Sequence, residues 1–267
     1  MIELKNIEES DLDKVIWRYL TFPKYISLIT YGALWFAKLN TFDDGLEGAI
    51  PQKTAERMHK ENHKWKKITS NPDMQKHIDD WPRRNVKDGR ELKIVNCWFL
   101  GDAESPKMWR EYAKNNQGVA IKSTIRKLRE NVGCVYQYSK IGKVQYVDLP
   151  SLSISTYEAS QAMERAFYKN IDYAHEQEVR IVTMNYKTPW CLNPNGKPLS
   201  PAEYSGSNAN NFDKPGLYIQ AVLEKMITAT VLAPDSSERF EFLINRIAEQ
   251  TGVGNPVLKS SLKNVFI

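Results

Sequence analysis

The stretch from Tyr173 to Val182 alternates between polar and apolar residues with a period of two, which is typical of a β-strand. Its side chains would divide between the two faces of a sheet, with Gln177, Val179 and Ile181 on one face and Glu176, Glu178 and Arg180 on the other. The pattern predicts a strand with its back in the core and its front in a polar groove. Two carboxylates two positions apart repel each other unless a cation such as Arg180 neutralises them. A solvent-exposed sheet face with a cross-strand ion pair would show the same row of charged residues. The pattern alone favours this structural interpretation over a functional site.

Similar patterns predict further strands and helices along the chain. The predicted strands are Trp17–Leu20, Ala33–Lys38, Ile94–Leu100, Gly118–Ile121, Val132–Val135, Gly142–Val147, Leu217–Leu223 and Ile227–Leu232. The predicted helices are Lys24–Tyr31, Ser155–Asn170 and Ser236–Gln250, with a helical turn at Met108–Lys114. Residues Thr188–Gly216 are rich in Pro, Asn, Ser and Gly, which indicates a long loop.

These elements predict a single α+β domain over residues 1–267, with a central mixed or antiparallel sheet and helices at its margins. Residues 51–90 differ from the rest because they are helical and basic and have few strong apolar positions. We interpret them as an insertion or a lid over the sheet. Their positive charge is concentrated in two groups, Lys60, Lys64, Lys66 and Lys67 in the first and Arg83, Arg84, Lys87 and Arg90 in the second.

Composition indicates an ordinary globular protein, with 42% hydrophobic and 26% charged residues. The formal net charge of +5 permits contact with nucleic acid without requiring it. The three cysteines form no Cys-x-x-Cys pair, which argues against a disulfide framework and favours reduced thiols. The N-terminal segment does not resemble a signal peptide, and the apolar runs are too short to span a membrane. We therefore expect a cytoplasmic protein with no membrane partner.

Several common catalytic motifs are absent from the sequence. It contains no phosphate-binding loop, no Gly-x-Gly-x-x-Gly, no zincin motif and no Gly-x-Ser-x-Gly elbow. His59 and His63 would share one face of a helix and could bind a metal ion. No third ligand follows at a diagnostic spacing, so an exposed histidine pair is favoured and no metal site is predicted.

Asp43, Asp44 and Glu47 form an acidic cluster after the second predicted strand. Together with Glu176 and Glu178 they could hold a divalent metal ion for a nuclease. The Asp-Asp-Gly sequence is also common in turns, and we favour the turn.

Trp109 and Tyr112 lie three residues apart on the predicted helical turn, immediately before a strand. They could form an aromatic wall for a flat ligand, or they could fill the space between helix and sheet. The 7 tryptophans and 13 tyrosines of the chain make packing the default for any single ring.

Four of these motifs, taken in order, resemble a bacterial family of unknown function that occurs among abortive-infection and phage-defence genes. They are Leu34-Trp35-Phe36, Phe42-Asp43-Asp44-x-x-Glu47, Met108-Trp109-x-x-Tyr112 and Glu176-x-Glu178-x-Arg180-Ile181. The resemblance extends from about Trp17 to the last helix. The chain has Asp43-Asp44-Gly45 where a common form of the family's turn has Asn-Asp-Pro.

A second resemblance concerns the order of strands, which is similar to that of the ADP-ribosyltransferase fold. In that fold a basic residue on the first strand holds NAD, and a glutamate on a late strand stabilises the ribose. The resemblance gives these roles to Arg18 and Glu178, with Glu176 as the first member of a Glu-x-Glu pair. It also implies ring or hydroxyl contacts to NAD, and the candidates for them are Tyr19, Trp109, Tyr112 and Ser123.

The two resemblances imply an NAD-dependent ADP-ribosyltransferase that acts as a toxin or phage-defence effector. NAD would be a substrate, nucleic acid (RNA or DNA) or protein would be the acceptor, and an antitoxin or regulatory protein would be a partner. The residues themselves are also compatible with two other classes of function. One is a divalent-metal nuclease built on the acidic cluster, and the other is a non-enzymatic binding or regulatory module.

Overall fold

The structure, a computed structural model, describes residues 2–68, 70–76, 78–79, 90–133, 139–161, 163–184, 214–254 and 256–266. These residues form an α+β fold around a mixed sheet of ten strands, with a separate pair of short strands. The predicted α+β class and mixed central sheet are thereby confirmed. Within the described ranges, no helix has the length and apolar character needed to cross a membrane.

Strands of both parallel and antiparallel orientation make up the large sheet. They are β1 (Glu3–Lys5), β2 (Val15–Leu20), β3 (Ala33–Lys38), β4 (Lys93–Leu100), β5 (Val119–Thr124), β6 (Ser139–Lys143), β9 (Glu178–Met184), β10 (Gly216–Gln220), β11 (Ala229–Leu232) and β12 (Val257–Lys259). The separate pair joins β7 (Gln145–Val147) to β8 (Tyr168–Asn170). The order across the large sheet is β1-β6-β9-β4-β2-β5-β11-β12, and β3 pairs with both β4 and β10. The β1–β6 and β11–β12 pairs are parallel.

One edge of β4 pairs with two strands that diverge from each other. β2 pairs with the C-terminal end of β4, and β3 pairs with its N-terminal end. Side chains bridge the separation, because Arg18 on β2 and Asn96 on β4 both donate to the Trp35 carbonyl of β3, at 3.1 and 2.9 Å. A gap in the sheet therefore opens between β2 and β3, and the candidate site lies in this gap.

Helices and turns cover the sheet. The helices are α1 (Phe22–Tyr31), α2 (Gln52–Ile68), α3 (Ile125–Asn131), α4 (Thr156–Ser160), α5 (Leu223–Met226) and α6 (Glu238–Thr251). A short helical turn, Pro106–Met108, continues into one turn of π-helix, Trp109–Ala113, which we call the π-turn. The largest apolar cluster includes Tyr25 of α1, Leu128 of α3 and Ile244 of α6. A second cluster packs Trp109 of the π-turn against Trp17 of β2.

Backbone geometry explains why the best-predicted elements end where they do. The predicted strand Ala33–Lys38 matches β3 in both of its bounds. Gly32 ends α1 with a φ of 58°, and Gly252 ends α6 with a φ of 71°. Glycine adopts this left-handed conformation at little steric cost, so it marks helix ends that can be identified in the sequence.

The predicted strand Tyr173–Val182 is wrong in its first half. Residues Ile171–Glu176 form a 3₁₀ helix, and β9 begins only at Glu178. The change occurs at Gln177, which has a φ of 39° and so interrupts any extended chain. Glu176 therefore approaches the site from a turn and does not share a strand face with Glu178.

The predicted helix Ser155–Asn170 is also wrong beyond its first turn. The chain forms α4, then a 3₁₀ turn at Glu164–Phe167, then β8. Phe167 is buried against Val95 and Val182 of the large sheet, and β8 pairs with β7. Tertiary packing and strand pairing thus override the helical spacing of this segment.

Other predicted elements differ in detail or lie outside the described residues. The predicted strand Gly142–Val147 is divided between β6 and β7, and Val132 makes only an isolated bridge to Ala221. Residues 134–138, 188–213 and 80–89 are not among the described residues. Within the 51–90 segment, residues Gln52–Ile68 form α2, whose Met58 packs against Ile154 and Ala159 in a small cluster of its own. Its role as a lid stays a prediction.

Candidate active site

A cavity of about 700 Å³ occupies the gap between β2 and β3. This volume lies within the range typical of small-molecule sites. Its walls come from β2, β3, β4, the end of the π-turn, the loop after β3 and the residues around β8 and β9. The charged and larger aromatic side chains that line it are Trp17, Arg18, Tyr19, Lys24, Trp35, Phe42, Asp43, Asp44, Glu47, Trp98, Phe99, Tyr112, Lys169, Tyr173, Glu176, Glu178 and Tyr218.

The floor of the cavity is a buried network of ion pairs. Arg180 donates from Nη2 to Oε2 of Glu178 at 2.6 Å, and from Nη1 to Oε1 of Glu47 at 2.5 Å. Lys169 donates to Oε1 of Glu178 at 2.7 Å. It lies 4.0 Å from Oε2 of Glu47. All four side chains are buried, so each charge depends on its protein partners and not on water.

Glu178 is held ionised by this network. Burial opposes its ionisation, but the charges of Arg180 and Lys169 outweigh that effect and lower its pKa well below the usual range. Its backbone N–H also donates to the Tyr146 hydroxyl at 2.7 Å. Each carboxylate oxygen offers more than one acceptor position, and hydrogen bonds from Lys169, Glu176 and Cys97 also favour the ionised form of Glu178.

Glu176 differs from Glu178 because its pKa is raised instead of lowered. Tyr112 donates its hydroxyl to Oε1 of Glu176 at 2.7 Å, and Lys169 donates to Oε2. Burial raises the pKa of Glu176 to about 7, and the neighbouring Glu178 adds to the increase. Glu176, unlike Glu178, can therefore exchange a proton near neutral pH, which is the property a general acid or base requires.

Arg18 forms the cationic part of the wall. Its Nη2 donates to the Trp35 carbonyl, whereas its Nη1 is buried with no hydrogen-bond partner among the described residues. Burial lowers the pKa of Arg18 to about 10, so it stays positively charged at neutral pH. Buried donors are almost always paired in native proteins, so an unpaired guanidinium nitrogen beside a cavity is a candidate anion-binding group.

The structure brings together Arg18, Tyr112, Glu176 and Glu178, which the resemblance had nominated from distant parts of the sequence. Tyr19 also lines the cavity, but its hydroxyl already accepts the Ser105 N–H at 2.9 Å. Two nominated residues are not at the cavity. Trp109 is fully buried and donates to Glu104 at 2.9 Å, and Ser123 is fully buried and donates to the Met226 carbonyl at 2.6 Å. Of the four candidates for ring or hydroxyl contacts to NAD, the structure thus brings Tyr19 and Tyr112 to the cavity and leaves the other two in the core.

Lys169 is the site residue that sequence reasoning missed. It lies in the segment predicted as a helix, and only the pairing of β8 with β7 directs its side chain to the floor. The sequence gives one indication that a further cation is needed, because Arg180 alone cannot neutralise Glu47, Glu176 and Glu178.

Cys97 also lines the cavity, but burial and the adjacent Glu178 raise the pKa of its thiol, so it is not an activated nucleophile.

The acidic cluster considered for a nuclease does line the cavity, with Asp43, Asp44, Glu47 and Glu178 all present. However, Glu47 and Glu178 already have Arg180 and Lys169 as counter-charges, so protein cations occupy the place a metal ion would take. Among the described residues, the group with suitable spacing for a metal ion is instead Glu111, His175 and Glu176, whose ligand atoms lie within 4.8 Å of one another. His59 and His63 are exposed on α2 with ring centres 4.6 Å apart.

Comparison with known proteins gives one match. Residues 108–181 match the model of a family described as a protein of unknown function, DUF2971. The matched segment runs from the helical turn before the π-turn into β9, and so contains Tyr112, Lys169, Glu176 and Glu178. The motifs predicted a resemblance from about Trp17 to the last helix, so the match covers less of the chain than expected. The family description assigns no activity. No curated protein and no solved structure gave a significant match.

Proposed function

We propose that the protein is an ADP-ribosyltransferase-like enzyme that uses NAD as a substrate and transfers ADP-ribose to an acceptor. The observation that carries the proposal is that one cavity combines an ionised, fixed carboxylate, a carboxylate that titrates near neutrality and a guanidinium nitrogen without a partner. These belong to Glu178, Glu176 and Arg18. The shared cavity also supports an ADP-ribosyltransferase-like arrangement of the fold.

Arg18 would bind the pyrophosphate of NAD. The unpaired Nη1 can donate a charge-assisted hydrogen bond to a phosphate oxygen while Nη2 keeps its bond to the Trp35 carbonyl. Tyr112, which donates to Glu176 and lines the same cavity, offers a ring for the nicotinamide. Together these contacts would place the nicotinamide ribose over the ionised floor.

Glu178 would stabilise the charge that develops when the glycosidic bond breaks. As the bond between ribose C1′ and the nicotinamide nitrogen lengthens, its electron pair leaves with nicotinamide and the ribose gains positive charge. A preorganised carboxylate beside the ribose lowers the energy of that transition state. Because Arg180 and Lys169 fix both oxygens of Glu178, the carboxylate does not have to reorganise during the reaction.

Glu176 would accept the acceptor's proton. As the acceptor's nucleophilic atom forms its bond to C1′, the proton it loses passes to the Glu176 carboxylate, so atoms and charge balance. A group with a pKa of about 7 is suited to this role near neutral pH. We further propose a cytoplasmic toxin or phage-defence effector, with nucleic acid or protein as acceptor and a regulatory protein or antitoxin as partner.

The test is incubation with NAD labelled in its ADP-ribose part, in the presence of RNA, DNA and protein acceptors. We expect label transfer and nicotinamide release by the wild type, and a loss of about 10²–10³-fold in the rate for Glu178→Gln, as for other preorganised electrostatic groups. Glu249→Gln, an exposed change on α6, should match the wild type. Circular dichroism verifies that the variants are folded, and Glu178→Asp retains the charge if Glu178→Gln is unstable.

Absence of both labelling and nicotinamide release in the wild type would overturn the proposal, as would equal rates for wild type and Glu178→Gln. A chelator should have no effect on transfer. Loss of activity with chelator would instead favour the metal-dependent nuclease, and a biological function retained by Glu178→Gln would favour a non-enzymatic module.

A further inference from the structure

The loop after β3, residues 42–48, brings two unpaired carboxylate oxygens to the cavity, and we call it the acidic loop. Oδ2 of Asp44 and Oε2 of Glu47 are buried with no hydrogen-bond partner among the described residues, and both residues line the cavity. Oδ1 of Asp44 accepts the Leu46 N–H at 2.9 Å. Glu47 is only 1% exposed, and its Oε2 lies 4.0 Å from Nζ of Lys169, beyond hydrogen-bonding distance. Buried acceptors are almost always paired in native proteins, so these two oxygens are candidates to accept hydrogen bonds from a ligand.

The backbone of the acidic loop is held in place by two cations from outside it. Arg90 donates to the carbonyls of Leu39 and Asp44, at 3.1 and 3.0 Å. Lys93 is fully buried and donates to the Gly48 carbonyl at 2.9 Å. These cations bond to backbone oxygens and not to the two unpaired carboxylate oxygens. The carboxylates are therefore positioned before a ligand arrives, which lowers the entropic cost of binding.

The contacts of Glu47 indicate which chemical group its free oxygen would accept. Arg180 already donates to Oε1 of Glu47 at 2.5 Å, so its charge has a partner and Oε2 needs a hydrogen-bond donor more than a second cation. The carboxylates of the acidic loop are also not in the group with metal-ion spacing among the described residues. In the same cavity, the unpaired Nη1 of Arg18 needs an anionic acceptor. A sugar phosphate meets both requirements, because it has hydroxyl donors beside phosphate oxygens.

We propose that Asp44 and Glu47 form a subsite that binds ribose hydroxyls, and that this subsite makes the cavity selective for an intact ribose. The inference rests on the proposed function, since NAD and ADP-ribose both have ribose hydroxyls beside the pyrophosphate that Arg18 would bind. A hydroxyl would donate its proton to Oδ2 of Asp44 or Oε2 of Glu47 in a charge-assisted hydrogen bond. A ribose without that hydroxyl leaves the buried oxygen unpaired, and sites built to bind a hydroxyl discriminate strongly against such analogues.

The experiment is calorimetric titration of the full chain with ADP-ribose and with analogues that each lack one hydroxyl of either ribose. ADP-ribose has no nicotinamide to release, so its affinity is measured without turnover. For the wild type, we expect at least one analogue to bind about 10–100-fold more weakly than ADP-ribose, as for a hydrogen bond to a charged group.

Two variants of the acidic loop should reduce this ratio of affinities to about threefold or less, because a neutral amide replaces the charged acceptor. Asp44→Asn can keep its oxygen on the Leu46 N–H, and Glu47→Gln can keep its oxygen on Arg180. Glu249→Gln, the exposed change on α6, is the control and should retain the ratio of the wild type. Circular dichroism verifies folding, and Asp44→Asn is sufficient for the test if Glu47→Gln does not fold.

Three outcomes would overturn the inference: no binding of ADP-ribose by the wild type, equal affinity of the wild type for ADP-ribose and every analogue, or a ratio retained by the loop variants. A variant that weakens all ligands equally retains the ratio, which would show that the loop acts through its charge and not through a hydroxyl. Nicotinamide release from NAD, measured separately, distinguishes the two proposals. Release without discrimination between ADP-ribose and its analogues supports the transferase and contradicts the subsite, whereas discrimination that depends on the acidic loop without any release does the reverse.

Discussion

The floor of the cavity and its β2–β3 wall each contain an arginine, and the two arginines are held in opposite ways. On the floor, Arg180 donates to Glu178, Glu47 and the Ala166 carbonyl, so its guanidinium group is enclosed by acceptors. On the wall, Arg18 has one protein acceptor and a buried Nη1 with none among the described residues. The guanidinium group of Arg180 is therefore paired by the fold itself, whereas that of Arg18 keeps one nitrogen that no described residue pairs.

The largest effect should come from breaking the floor. Arg180→Met leaves Glu178 and Glu47 buried with only Lys169 as counter-charge, and removing one partner of a buried ion pair typically costs about 3–5 kcal/mol. We expect a loss of this size in the free energy of unfolding, measured with urea at pH 7. Arg246→Met is the control, because its pair with Glu249 is solvent-exposed and should change stability by less than about 1 kcal/mol. Similar stability for the two variants would contradict the account of the floor.

Raising the pH through the pKa of Glu176 should lower the free energy of unfolding and raise the transfer rate. The change in stability should be smaller than that caused by Arg180→Met. The pKa of Glu176 is raised from 4.5 to about 7 in the folded protein, so between these values the folded state binds more protons than the unfolded state. Its contribution to stability is therefore present at low pH and is lost as the pH rises through about 7, by about 1–3 kcal/mol. The transfer rate should rise over the same range.

Glu176→Gln should remove both pH dependences. Unfolding experiments and rate profiles between pH 5 and 8, comparing this variant with the wild type, measure the two effects separately. A transfer rate that rises through pH 7 in Glu176→Gln as in the wild type would show that another group accepts the proton.

The smallest effect on folding should come from the wall. Arg18→Met removes one hydrogen bond and a buried, incompletely paired cation, so we expect a change of less than about 1 kcal/mol in stability. Affinity for NAD, measured by calorimetry, should fall about tenfold or more, because a charge-assisted contact to phosphate is lost. An unchanged affinity for NAD would show that Arg18 does not bind it. A loss of stability close to that of Arg180→Met would show that the two arginines are held in the same way.

Local patterns predicted the elements whose ends depend on local geometry. The strand β3 and the ends of α1 and α6 are examples, because Gly32 and Gly252 supply left-handed backbone that any sequence analysis can recognise. Alternation also placed Glu178 and Arg180 correctly on one face of β9. These features depend on residues within a few positions of one another.

Long-range features could not be predicted in the same way. Lys169 reaches the floor because β8 pairs with β7, and nothing within the segment itself distinguishes that strand from a helix. The gap between β2 and β3 depends on two distant strands sharing one edge of β4. The unpaired Nη1 of Arg18 depends on how these distant strands meet, so a sequence resemblance could suggest Arg18 but could not show that this nitrogen has no partner among the described residues.

The most direct test of the central claim is a crystal structure of Glu178→Gln with NAD bound, since this variant should bind the substrate and turn it over slowly. We predict density for NAD in the β2–β3 cavity, with the pyrophosphate on Arg18 and the nicotinamide ribose beside residue 178. NAD bound elsewhere on the chain, or a cavity left without NAD at concentrations that saturate the wild type in calorimetry, would contradict the account.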